Sequence, residues 1–313
     1  MALGINHSFD LEGNGADTLE ISLIFWVTYI MERMTTLMIG RNSSLRDEYI
    51  DAWFPSDNFI PADPRQILPC GAITNWAYIR AMAMLAGLAD EILMGIYNSK
   101  VALLDVQSFL PTNKILECEA RLQDIVNSLP AHLNCLDAEA PVGEAWQEIQ
   151  RLHFGVTLET MRMLTHRPAL VFASFFPSVA EAQRNTSLQL GRSIELCVGS
   201  AKAIIRFTHH SLSSRVPDAR SDGSPAIYLT SACLTLLFHV LDPDTTLESA
   251  KDTFLALDQA IQCLEDMKHA GPATGKRLSL DIMAMAQKVI FSPTGQAFMS
   301  EDRSLTAEYP WLE

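Results

Sequence analysis

The chain has 313 residues, 48% of them hydrophobic and only 19% charged, with a formal net charge of −14. That is enough chain to bury a large core, and the acidic balance, with no run of three Lys or Arg, excludes a surface built to grip nucleic-acid phosphates. No uninterrupted apolar run approaches the ~20 residues of a membrane span, and Met1–Asp10 lacks the basic start and apolar core of a secretion signal.

Met1-Ala2-Leu3-Gly4-Ile5-Asn6 reads as the last turn of a helix and its glycine stop, with no helix in front of it. Ile21 to Pro55 follows. Ile21, Ile24, Phe25, Thr28, Ile30, Met31, Met34, Leu37 and Met38 cover more than one helical face, so most of that helix's circumference is expected to be buried. Gly40 sits where the helix should stop, Ser44-x-x-Asp47 reads as a capping box for a short second helix, and Pro55 closes the unit. Glu32 and Arg33 fall inside the apolar run. A lone buried charge is costly, so each needs a partner, and the acids of Asp47-Glu48-x-x-Asp51 are the nearest supply.

Asp57 to Pro69 is a Pro- and Asp-rich loop. Ala72 to Tyr97 reads as a long, sparsely charged helix through Trp76, Ile79, Met82, Ala83, Ala86, Ile92 and Leu93. Asn113 to Leu129 is amphipathic, with Ile115, Cys118, Leu122, Ile125 and Leu129 on one stripe and Pro130 as its stop. Glu144 to His166 carries Ile149, Leu152, Val156 and Met163 at core spacing, and His166-Arg167-Pro168 reads as its end. Further helices are expected over Val179 to His210, Ala226 to Leu241, Thr246 to Lys268 (with Thr245-x-x-Glu248 as capping box) and Leu278 to Ile290. Residues 211–224 read as a flexible loop and 291–313 as an irregular tail. No strand alternation is sustained. The expected fold is all-α, a large irregular bundle of about eight or nine helices in a single domain over 1–313. The six cysteines are scattered, and Cys118, Cys197, Cys233 and Cys263 in helical patterns suit free buried thiols in a reducing compartment.

Two stretches resemble a known family. Phe25-Trp26, Tyr29, Glu32-Arg33, Gly40-Arg41, Asp47-Glu48, Ile50-Asp51 and Pro55 are similar to the signature of the fungal-specific transcription factor domain, the middle homology region of zinc-cluster regulators. Leu152-His153 followed by His166-Arg167-Pro168 resembles that family's second motif, and Cys197-x-x-x-Ala201 a third feature. Glu32 stands where Asp is commoner, Asn42 where Pro is commoner, and Gly155-Val156 where an aromatic usually follows Leu-His. The resemblance runs from Met1 to about Lys268. It implies that the frame opens inside the domain, with the DNA-binding module and first helices absent, either because the gene model is truncated or because the protein has lost that half. The acidic balance and the short apolar runs separately lead to the expectation of no direct nucleic-acid contact and no membrane partner. It further implies a nuclear regulator of a fungal, secondary-metabolic pathway. Such a regulator would sense a small apolar metabolite, or pair with a full-length factor or a second copy of itself.

Gly271-Pro-Ala-Thr-Gly275-Lys276-Arg277 is one residue short of a phosphate loop and has no preceding strand. Asp47, Glu48 and Asp51 have the spacing of a metal-diphosphate motif on a helical protein, against which stands their use as helix caps or partners of Arg33, Arg41 or Arg46. No nucleophile–base constellation occurs and no cofactor is implied. If the bundle holds a pocket, Arg33, His153, Trp76 and Trp26 are the candidates for its wall. The alternative reading is a cofactor-free cyclase or cycloaddition catalyst of the cytoplasm that works by positioning an apolar substrate, with His153, His166, Arg33 and Arg167 as its polar groups.

Overall fold

The computed structural model describes residues 15–52, 76–97, 112–135, 140–176, 180, 188–221, 223–241, 245–267 and 270–291. These residues form eight α-helices and no strand, so the fold is all-α as its periodicity requires. The helices are α1 (Gly15–Ile39), α2 (Ala77–Ile92), α3 (Thr112–Asn127), α4 (Ala145–Phe175), α5 (Leu188–His210), α6 (Pro225–Val240), α7 (Leu247–Asp266) and α8 (Ala270–Phe291). The expected helix end at Met1–Asn6, the Pro-rich stretch after Pro55, Cys70 and the tail beyond Phe291 lie outside the described residues. Among the described residues no helix is long and apolar enough to cross a membrane.

By its contacts the chain groups into two compact units: Met1–Pro168 with Ser213–Pro217, and Ala169–Leu212 with Asp218–Glu313. In the first, α1 packs on α2 and α2 on α3. The buried face of α1 is Phe25, Trp26, Tyr29, Ile30, Arg33 and Leu37, a three-four repeat. The expectation that most of α1's circumference is buried is corrected: Ile24, Val27, Thr28, Met31, Thr35 and Ile39 are exposed, Met31 at 65%. In α3, Ile115, Cys118, Leu122 and Ile125 are buried, and in α4 Leu152, Val156 and Met163 are, whereas Ile149 faces solvent. Within the second unit α6 packs against α5, α7 and α8, and its Leu229, Ala232, Cys233, Leu236, Leu237 and Val240 are all buried.

Helix ends show where local signals held and where they did not. Gly40 takes φ +67°, the Gly40 amide reaches the Leu37 carbonyl (3.4 Å) and the Arg41 amide the Thr36 carbonyl (3.0 Å). This is a Schellman stop, available to glycine at little steric cost. The Ser44 capping box is not formed: the Ser44 hydroxyl turns to Glu32, and the 3₁₀ turn Asp47–Tyr49 has no side-chain cap. The cap of α7 is Thr246, which accepts from the Ser249 amide at 3.2 Å, while the Thr245 hydroxyl donates to the His239 carbonyl. The last helix starts at Ala270, ahead of the expected Leu278, so the Gly271–Arg277 stretch is helical rather than a phosphate loop. Residues 211–224, read as flexible, contain a π turn over Ser211–Arg215 and a 3₁₀ turn over Pro217–Ser221. Arg215 donates to Glu148 Oε2 at 2.6 Å and to the carbonyls of Ala140 and Pro141.

The main correction concerns Pro168. It does not end the helix; α4 runs through it to Phe175. A proline cannot donate to the carbonyl four residues back, which leaves Leu164 O without its helical partner. The Tyr97 hydroxyl donates to that oxygen at 2.6 Å. A side chain from another element thus replaces the missing bond and lets the helix continue.

Candidate functional site

Two groups in the first unit gather the polar candidates. One is built on α1. Three-four spacing carries the apolar face of α1 through position 33, so Arg33 is held at 1% exposure. Its Nη2 donates to Asp47 Oδ1 (2.7 Å) and to the Leu45 carbonyl (2.6 Å), and its Nη1 pairs with Asp90 Oδ2 of α2 at 2.9 Å without hydrogen-bond alignment. The guanidinium carbon lies 5.0 Å from the Tyr29 ring centre, a cation–π contact. Tyr29 also donates its hydroxyl to Asp47 Oδ1 at 2.9 Å. Burial, and then the Asp47 charge, hold that phenol well above its ordinary range, so it stays a donor.

Glu32 faces the other side of the same turn. Its Oε2 accepts from the Ser43 hydroxyl (2.7 Å), and its Oε1 from the Ser44 amide (2.6 Å) and the Ser44 hydroxyl (3.0 Å). Adjacent Glu32 and Arg33 therefore clamp 43–47 onto α1, one through serines and one through an aspartate. The expected pairing of Arg33 with the Asp47 segment is present; Glu32 is held by hydroxyl and amide donors.

The second group lies between α3 and α4. Arg162 Nε donates to Glu119 Oε1 at 3.0 Å, its Nη1 donates to Glu159 Oε1 at 3.0 Å, and His166 Nε2 sits 3.3 Å from Glu119 Oε2. Burial pushes the Glu119 carboxyl up, but the hydrogen bond from His166 and the charge of Arg162 outweigh it and hold it below the usual carboxylate range. The Cys135 thiol is pushed up to about 12 by burial and by the Glu159 charge. It is the opposite of an activated nucleophile.

The remaining candidates disperse. Trp26 is buried edge-on to Phe25 and Tyr29, both at 5.3 Å, and so shares the Tyr29 ring with Arg33 as a neighbour. Trp76 is half-buried at the residue before α2, and His153 and Arg167 are half-buried along α4. Glu48 is exposed and Asp51 half-buried, while Asp47 is committed to Arg33 and Tyr29. Among the described residues no three His, Cys, Asp or Glu side chains are arranged to hold a metal. Arg33 and His166 are each matched to carboxylates of the protein itself, which makes both groups braces of the fold rather than open reaction centres.

Sequence reasoning missed Asp90, Glu119, Glu159 and Arg162. Glu159, Arg162 and His166 recur at three- and four-residue steps on an apolar helix, and that polar stripe within a buried segment was the available signal. Glu119 and Asp90 come from other helices, and nothing local marks them. No protein-family model, no curated protein and no solved structure matches the chain.

Proposed function

We propose that this chain is a transcription factor-like regulatory module of a fungal metabolic pathway, working in the nucleus. The observation that carries the reading is that the residues of the first family-like stretch meet as one network. Tyr29 and Arg33 both donate to Asp47, Glu32 holds 43–44, and Gly40 makes the turn that allows both. A spacing pattern whose members serve one another is a folded motif rather than a chance string. The net charge of −14 supports output through a protein partner rather than direct grip on DNA. A small apolar metabolite is the proposed signal, and a complete factor or a second copy the proposed partner.

The test tethers the chain to a heterologous DNA-binding module upstream of a reporter. Altered reporter output that is lost in Asp47→Ala with the fold intact supports the reading. Output indistinguishable from the DNA-binding module alone counts against it.

A further inference from the structure

The Glu32 clamp has a property that the regulatory reading does not use. Among the described residues, three Ser or Thr side chains have an arginine three positions before them: Thr36, Ser44 and Thr165. Thr36 and Thr165 lie inside α1 and α4 with their hydroxyls bonded to helix carbonyls at 3.0 and 2.8 Å. Ser44 lies outside any helix, is exposed, and is flanked by Arg41, Arg46 and the apolar Leu45. An arginine three residues ahead and an apolar residue just behind form the pattern read by arginine-directed Ser/Thr kinases, whose acidic clefts bind the cation and need an accessible, non-helical segment.

We propose that Ser44 is a phosphoacceptor for such a kinase, and that phosphate at this position releases residues 43 and 44 from Glu32 of α1. The γ-phosphorus of ATP bonds to Ser44 Oγ as its bond to the β-phosphate oxygen breaks. ADP leaves, and the hydroxyl proton passes to the kinase's base. The hydroxyl that receives the group now donates to Glu32 Oε1 at 3.0 Å, and the Ser44 amide reaches the same oxygen at 2.6 Å. After transfer the donor hydrogen is gone and two negative charges face the carboxylate at the distance of a hydrogen bond. Phosphate set against an acidic side chain disrupts by repulsion. Ser43, whose hydroxyl bonds Glu32 Oε2 at 2.7 Å, shares that carboxylate and is released with it. The far end of the segment remains tied by Asp47 to Arg33, so the effect is a local opening rather than unfolding. The proposal holds whether the module regulates transcription or not.

The experiment treats the full chain with an arginine-directed Ser/Thr kinase and Mg-ATP, beside a free peptide spanning 38–48 as a control for kinase activity. Phosphate located on Ser44 by mass spectrometry and absent from Ser44→Ala is the expected result. Hydrogen exchange at the Ser44 amide then rises by about tenfold or more, while α2 and α3 are unchanged. In Glu32→Gln the rise caused by phosphate is much smaller, because the repelling charge is gone. Modification of the peptide but not of the folded chain overturns the proposal. So does a phosphate on Ser44 that leaves exchange unaltered, or an equal rise in Glu32→Gln.

Discussion

The brace around Arg33 makes a quantitative prediction about order of removal. The guanidinium is 1% exposed, whereas Asp47 is 60% and Asp90 33% exposed. The carboxylates can rehydrate where they stand, and the cation cannot. Asp47→Asn or Asp90→Asn alone leaves one counter-ion; the first should cost about 1–2 kcal/mol, near the low end for hydrogen bonds to charged groups, and the second, an ion pair without hydrogen-bond alignment, about 1 kcal/mol or less. Removing both strands a buried cation, for which about 3–5 kcal/mol is the usual penalty, with an excess of about 1 kcal/mol or more over the sum of the singles. The sign of a third change follows. Arg33→Met should destabilise the native sequence, because it frees the Leu45 carbonyl and both carboxylates. In the double-asparagine background it should stabilise, because it removes the stranded charge. Urea unfolding at constant m-value measures all of these. Additive asparagine changes, or Arg33→Met destabilising equally in both backgrounds, would refute the reasoning.

Three further outcomes follow. Tyr97→Phe should cost about 1–3 kcal/mol by orphaning Leu164 O, and less in a Pro168→Ala background, where the restored amide supplies the helical bond; thermal or urea denaturation of the four chains measures the coupling. Glu119 and Glu148 are both held below the ordinary carboxylate range, the burial of each being outweighed by hydrogen bonds from His166 and Arg215 respectively. In the unfolded chain they bind protons at a higher pH than in the folded one, so their contribution is complete above the usual carboxylate pKa and is lost as pH falls below it; Glu119→Gln should flatten that limb of the stability–pH curve. Burial, followed by acidic neighbours for Cys135 and Cys263, pushes the thiols of Cys135, Cys233 and Cys263 up to about 12, 11 and 12, so at pH 8 they should label with iodoacetamide far more slowly in the native chain than in urea, as read by mass spectrometry.

What the sequence made legible was whatever depends on neighbours along the chain. The all-α class, the apolar stripe of α3 and the glycine stop of α1 follow from three-four spacing and from the conformational freedom of Gly40. The pairing of Arg33 with the Asp47 segment was also within reach, since the two are joined by a single tight turn. The continuation of α4 through Pro168 was not, because the repair comes from Tyr97, which no local pattern connects to Leu164. The same holds for Glu119, Asp90 and the anchoring of Arg215 by Glu148: each is a tertiary partner chosen by packing. Capping boxes misled twice, at Ser44 and at Thr245, where a nearby acid or carbonyl competed for the hydroxyl and won.

If the chain acts on gene expression, as proposed, then in a strain lacking the gene, with neighbouring transcripts and pathway metabolites quantified in the same cultures, the neighbouring transcripts should fall together and the pathway's intermediates with them. Transcripts that hold while one intermediate accumulates would contradict the proposal, and would make that intermediate the substrate of an enzyme.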